Sequence, residues 1–240
     1  MNRLLVCLWN GVDLPRYSRG QYDVGDLANL TRNVKRHMPD VQIVACVDQG
    51  FDDRIIRTSK YPELDDVVVH PFKGIGCGGW SHRFEALHPT LWPAKDARVV
   101  TLDLDSVFFA DMSWLWEWND APVGFIKDPF YRHTICSTVA SIDRKGAELL
   151  WNEFTRSREV NEMRNYRMGQ NPSEMYLYRA MWKKHGWKVL EDKPNKMRSY
   201  KAHVCRGMGL EGAELVYLHG KPKFRNLKTE DPVRVEWEKA

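Results

Sequence analysis

The chain has 240 residues, 43% of them hydrophobic and 28% charged, an ordinary globular composition that excludes intrinsic disorder. Its 36 Lys and Arg against 32 Asp and Glu leave a net charge of +4, which permits an anionic partner without demanding one. Ten tryptophans lift the aromatic share to 12%, and the length suits one domain with a core of its own.

In chain order, Met1-Asn2-Arg3 leads into Leu4–Trp9, an apolar run of strand length with no small-residue cleavage site after it. Asp23–His37 follows, with Leu27, Leu30 and Val34 at helical spacing and a stop at Met38-Pro39. Val41–Val47, Asp66–His70, Ala97–Leu102 and Pro122–Ile126 read as further strands. These runs are near-continuous rather than alternating, which predicts strands covered on both faces, as in a parallel sheet. A helix is expected after Asp143, through Ala147, Leu150, Trp151 and Phe154. Another opens on Asn171 as cap, Pro172 at the first helical position and Glu174 in a capping box. Strands alternating with helices predict an α/β domain. No window approaches the ~18 apolar residues of a membrane span. Cys7, Cys46, Cys77, Cys136 and Cys205 are odd in number and scattered, so the expectation is a cytoplasmic protein without disulfides or structural zinc.

Charge is unevenly spread. Between Lys183 and Lys228 twelve basic residues face four acids, an excess of +8 that leaves −4 for the rest. Either this is a solvated basic face or it is a half of the molecule that meets phosphate.

The stretch Arg98-Val-Val-Thr-Leu-Asp103-Leu-Asp105-Ser-Val-Phe-Phe109 is the most informative. An apolar strand runs into two aspartates spaced i and i+2, which in extended backbone share one side. Ligands of parallel sheets gather beyond the carboxyl ends of the strands, where two carboxylates can hold a hard divalent cation and so neutralise a diphosphate. Asp-x-Asp alone occurs by chance about once in a chain of this size. The hydrophobic strand before it, the apolar run after it and the turn at Asp111-Met112-Ser113 add weight; two solvated loop aspartates are the other reading.

From Leu102 to Trp116 these residues resemble the metal-binding strand of GT-A nucleotide-sugar glycosyltransferases, particularly the glycosyltransferase family 8-like group. Leu215-Val-Tyr-Leu-His219-Gly220-Lys221-Pro222-Lys223-Phe224 resembles that family's closing His, Gly and Lys-Pro motif. The resemblance implies a single GT-A-like, Rossmann-like domain over 1–240, with a mostly parallel central sheet flanked by helices. It divides the chain into a nucleotide-binding half, 1–110, and an acceptor-binding half, 111–240. It implies metal ligation by Asp103, Asp105 and His219, manganese or magnesium as the cofactor, and contact of Lys221 with the donor diphosphate; Asp103 would also meet the donor. The implied reaction is sugar transfer from a nucleoside-diphosphate sugar, UDP-linked, to an acceptor hydroxyl with retention. The chain departs from the family pattern in three places. His219 lies one residue before the glycine rather than three, Cys136-Ser137-Thr138 stands where Asn-x-Gly is usual, and Ser173-Glu174-Met175 replaces an Asp-Gln pair.

Further candidates follow from position. Trp9 and Asn10 end the first strand, where a nucleobase would be received, and Asp48 ends the second and could accept a ribose hydroxyl. Lys73 and Arg83 flank a glycine-rich stretch whose backbone could approach phosphate, unless it is simply a surface lid. Glu174 and Asp128 are the carboxylates that could serve as a base if the enzyme inverts. Trp182, Trp187 and Tyr200 among the lysines also suit a nucleic-acid acceptor, with bases stacked on aromatics. A metal-dependent nucleotidyltransferase-like α/β protein is the reading from another class.

Overall fold

In the computed structural model the described residues are 2–8, 22–47, 56–57, 60–71, 84, 86–88, 98–131, 133–168, 173–190, 196–218 and 222–239; for 157–168 and 173–176 the description is of the backbone. They form a six-stranded sheet in the order β3-β2-β1-β4-β7-β6. β1 (Arg3–Leu8) pairs in parallel with β2 (Gln42–Val47) and with β4 (Arg98–Leu102), and β2 pairs in parallel with β3 (Val68–Pro71). β7 (Ile135–Asp143) runs antiparallel to both β4 and β6 (Val123–Lys127), so β6 points the same way as β4. The mostly parallel sheet expected from the apolar runs is therefore present, with one reversed strand inserted near its edge. β7 has no counterpart among the strands read from the sequence.

The near-continuous apolar runs have a direct physical origin. Successive side chains of a strand point to opposite faces, and here both faces are buried. Leu4, Val6, Ile43, Ala45, Val100 and Leu102 pack on one face, with Leu27, Leu30 and Val34 of helix α1 (Val24–His37). Leu5, Val44, Val99, Phe125 and Ile142 pack on the other, against Leu150 and Phe154 of helix α3 (Arg144–Met168) and Leu177 and Tyr178 of helix α4 (Ser173–His185). Ahead of β6 lies the short α2 (Trp114–Glu117). Asp143 does cap α3, accepting from the Gly146 amide at 2.7 Å. Asn171 and Pro172, read as the start of α4, lie outside the described residues.

A second, three-stranded sheet sits beside the first in the order β5-β9-β8. β5 (Ser106–Phe108) runs antiparallel to β9 (Leu215–Tyr217), and β8 (Met197–Ser199) runs parallel to it. Val107, Val216 and Phe224 pack there against Val233 and Trp237 of the C-terminal helix α5 (Pro232–Glu238). Cys7, Cys46, Cys136 and Cys205 are free thiols. Among the described residues, no helix is long and apolar enough to cross a membrane.

Candidate functional site

The site is built where β4 leaves the large sheet for the small one. The Asp103 amide still donates to the Thr138 carbonyl of β7 at 3.0 Å, and then Leu104 and Asp105 turn the chain into β5. The extended backbone expected to carry both carboxylates on one side thus stops after Asp103. The turn puts Asp105 in the interior, with its side chain 5% exposed, while Asp103 remains partly open. β1 and β2 end at the same sheet edge, at Leu8 and Val47. Trp9, Asn10 and Asp48, expected to follow those strands, lie outside the described residues, as do Lys73, Arg83, His219 and Lys221.

Asp105 is also the meeting point of the C-terminal segment. Its carbonyl accepts the Leu218 amide at 2.8 Å, an extension of the β5–β9 pairing. Its carboxylate Oδ2 accepts from Lys223 Nζ at 2.7 Å. The chain therefore touches Asp105 on both sides of residues 219–221. The Lys223 ammonium also donates to the Tyr22 hydroxyl and lies 4.4 Å from the centroid of the Tyr22 ring, a geometry that adds a cation–π attraction.

Helix α1 supplies the opposite wall. Asp23 caps it, its side chain accepting from the Asp26 amide at 3.0 Å, while Asp26 accepts from the Asp23 amide at 2.9 Å, a reciprocal capping box. Arg225 reaches both carboxylates, at 3.2 Å for Asp23 and in a close pair with Asp26. Burial pushes the Asp26 carboxyl up to about 6, with the neighbouring Asp23 charge adding to the rise and the Asp23 amide, Arg225 and Lys223 opposing it. Further along α1, the fully buried Asn33 clamps β5. Its Nδ2 donates to the Phe108 carbonyl at 2.9 Å, and its Oδ1 accepts the Phe108 amide at 2.6 Å. Helix, turn and closing segment are thus tied into one unit around Asp105.

Other expected residues fall elsewhere. Asp128 follows β6 at the same sheet edge, but its Oδ1 accepts the amides of Phe130 and Tyr131 at 2.9 and 3.0 Å and its Oδ2 faces Arg179 at 3.4 Å. That carboxylate shapes the β6–β7 loop. Glu174 lies in the first turn of α4, where the backbone is described. The aromatics proposed to stack on nucleic-acid bases are largely spent on packing: Trp187 is buried, Trp182 packs on the same cluster, and Tyr200 donates its hydroxyl to Asp231. Much of the local positive excess is answered inside the fold as well. Lys196 pairs with Glu214, Arg198 donates to three backbone carbonyls, and Lys223 and Arg225 pair with the acids just described.

Two hard carboxylates at a strand end suit magnesium or manganese by donor chemistry, so Asp103 and Asp105 fit a divalent cation in kind. Among the described residues no group of three or more His, Cys, Asp or Glu forms a metal site, and the third expected ligand, His219, is outside them.

No protein-family model and no curated protein matches the sequence. Solved structures do match the fold. GlyE, a glycosyltransferase of Streptococcus pneumoniae TIGR4, superposes with a TM-score of 0.66 at 14% identity, over 99% of this chain and 60% of its own. The fold is one that solved glycosyltransferases share. The galactosyltransferase LgtC, in complex with donor and acceptor sugar analogs, matches with a TM-score of 0.61 at 11% identity over 98% of this chain and 92% of its own. Mouse xyloside xylosyltransferase 1 matches at 0.54 and 12% identity over 90% of this chain. The chain thus spans about 60% of the length of GlyE and nearly the full length of LgtC.

Sequence reasoning missed Lys223, Tyr22 and Asn33. The signal for Lys223 was present in Lys221-Pro222-Lys223, where two lysines alternate about a proline and only the first matched the family motif. Asn33 carried none, being one polar residue in an amphipathic helix.

Proposed function

We propose that this chain is a metal-dependent glycosyltransferase that moves a sugar from a UDP-linked nucleoside-diphosphate donor to an acceptor hydroxyl with retention of configuration. The observation that carries the proposal is the double contact of the closing segment with Asp105, through the Leu218 amide and the Lys223 ammonium. Leu218 and Lys223, the described residues that meet Asp105, flank His219 and Lys221 in the sequence, which supports assigning those two to the same site. Asp103, Asp105 and His219 would hold manganese or magnesium, and a cation so held supplies Lewis-acid stabilisation of the departing diphosphate. Lys221 carries its charge to the same diphosphate as a point cation. Trp9 and Asn10 receive the base and Asp48 a ribose hydroxyl. Lys73 and Arg83 approach the phosphates from the glycine-rich stretch, and Glu174 faces the sugar or the acceptor. Asp128, fixed in its loop, has no part in this scheme.

Turnover of UDP-sugars with manganese tests the reading. The combined change Asp103→Asn with Asp105→Asn should abolish turnover at temperatures where the variant is still folded, melting lower than the parent because Lys223 loses its counter-charge, while Asp103→Asn alone should lower turnover with little change in melting; Lys221→Met should lower turnover without abolishing folding. Full manganese-dependent turnover by the double variant would overturn it.

A further inference from the structure

In the glycosyltransferase reading the Lys223–Asp105 pair serves as a tether, and the charge of Lys223 has no role. Asp105 is 5% exposed at the side chain and Lys223 only 14%, so both charges are largely withdrawn from water. An ion pair held there needs further partners, and around the ammonium the fold provides the Tyr22 hydroxyl and ring. Lys223 is also held from behind. Its amide donates to Asn226 Oδ1 at 3.4 Å, and Arg225 two residues on is pinned to Asp23 and Asp26. The ammonium is therefore placed at the carboxylate by a built site rather than by chance of a surface rotamer.

We propose that Lys223 is an internal cation that competes with a divalent metal ion for Asp105. This rests on the reading of Asp105 as a metal ligand. A divalent ion at Oδ2 and the ammonium cannot both keep that oxygen without facing each other at close range, and the repulsion between a double and a single positive charge there is large even in a watery dielectric. With Lys223 in place the protein alone holds the metal weakly. The ammonium leaves Asp105 readily only when another anion is at hand to receive it, and the diphosphate of the donor has that chemistry. Metal alone is thus disfavoured, and metal together with diphosphate is favoured.

The test is the affinity for Mn2+ alone, read from the electron-spin resonance signal of the free ion, so that no turnover is needed. Lys223→Met should bind Mn2+ at least about tenfold more tightly than the parent chain, and Lys223→Arg, which keeps the charge, should stay close to the parent. Removing the ammonium leaves Asp105 buried without its counter-charge, so Lys223→Met should melt lower and recover more on adding Mn2+ than the parent does. Equal Mn2+ affinity in Lys223→Met and the parent, both lost on Asp105→Asn, would overturn the competition and leave Asp105 a metal ligand. Mn2+ affinity indifferent to Asp105→Asn in either background would instead sink the metal reading, and the competition with it.

Discussion

Replacing Asn33 with alanine should cost far more than its place in an amphipathic helix suggests. The side chain is fully buried, and both halves of its amide are engaged with Phe108, at 2.9 Å to the carbonyl and 2.6 Å from the amide. On the other side, β5 is paired with β9, so no second strand is available to take over these groups. Asn33→Ala leaves one buried N–H and one buried C=O without a partner, at about 1–3 kcal/mol each, or roughly 2–6 kcal/mol together. For a domain of this size, at about 2–4 °C per kcal/mol, that is a fall in melting temperature of roughly 4–24 °C. Urea unfolding followed by far-ultraviolet dichroism gives the free energy, and thermal melts give the temperature. Asn33→Asp separates the two halves of the clamp. It keeps the acceptor for the Phe108 amide but turns a carboxylate oxygen toward the Phe108 carbonyl, so it should be at least as destabilising at neutral pH. A loss below about 1 kcal/mol for Asn33→Ala would refute the claim that this amide holds β5, and with it Asp105, against α1.

The remaining predictions concern the same frame. Asp26 carries a carboxyl raised to about 6 by burial, so the folded chain binds its proton more tightly than the unfolded one. Its contribution to stability is full below the ordinary carboxylate range and is lost as pH rises through about 6; Asp26→Asn should therefore gain on the parent in melting temperature between pH 5 and pH 7.5, and a pH-independent difference would contradict this. Gly146→Ala should destabilise by about 2 kcal/mol or more in urea unfolding, because the added Cβ would lie 2.6 Å from the Pro122 carbonyl oxygen, a backbone atom with no room to give. Arg198→Met should cost about 2–4 kcal/mol and raise hydrogen exchange over residues 207–212. The buried guanidinium ties down the Gly209 and Glu211 carbonyls at 2.7 and 2.6 Å in a loop where Gly207, Gly209 and Gly212 all have positive φ.

The parallel part of the fold was legible because burial on both faces leaves little choice of residue. Leu4-Leu5-Val6 and Ile43-Val44-Ala45 are apolar at every position since each face meets its own layer of helices. The same reasoning passed over β7. Its run Ile135-Cys-Ser-Thr-Val-Ala-Ser-Ile-Asp143 is broken by hydroxyls that are nevertheless buried; Ser141 satisfies its own by donating to the Leu115 carbonyl at 2.6 Å. Nothing local marks β7 as antiparallel, because strand direction is decided by where the chain returns. β5, β8 and β9 are three residues each and owe their existence to one another. At the site, the aspartate pair stood out because two carboxylates directly after an apolar strand are costly without a role. The inward turn of Asp105 and its pairing with Lys223 were not legible, since the two residues lie 118 positions apart in sequence and meet only when the chain folds back. Trp187 misled for the opposite reason: as a residue type tryptophan suits stacking on a base, and Trp187 is core.

The most direct measurement of the central claim is calorimetric titration of UDP into the parent chain and into Asp103→Asn with Asp105→Asn, each with Mn2+ and with chelator. The account predicts that the parent binds UDP with Mn2+ and loses about tenfold or more in affinity under chelator, while the double variant binds weakly in both conditions. Equal, chelator-insensitive binding by the two proteins would contradict it.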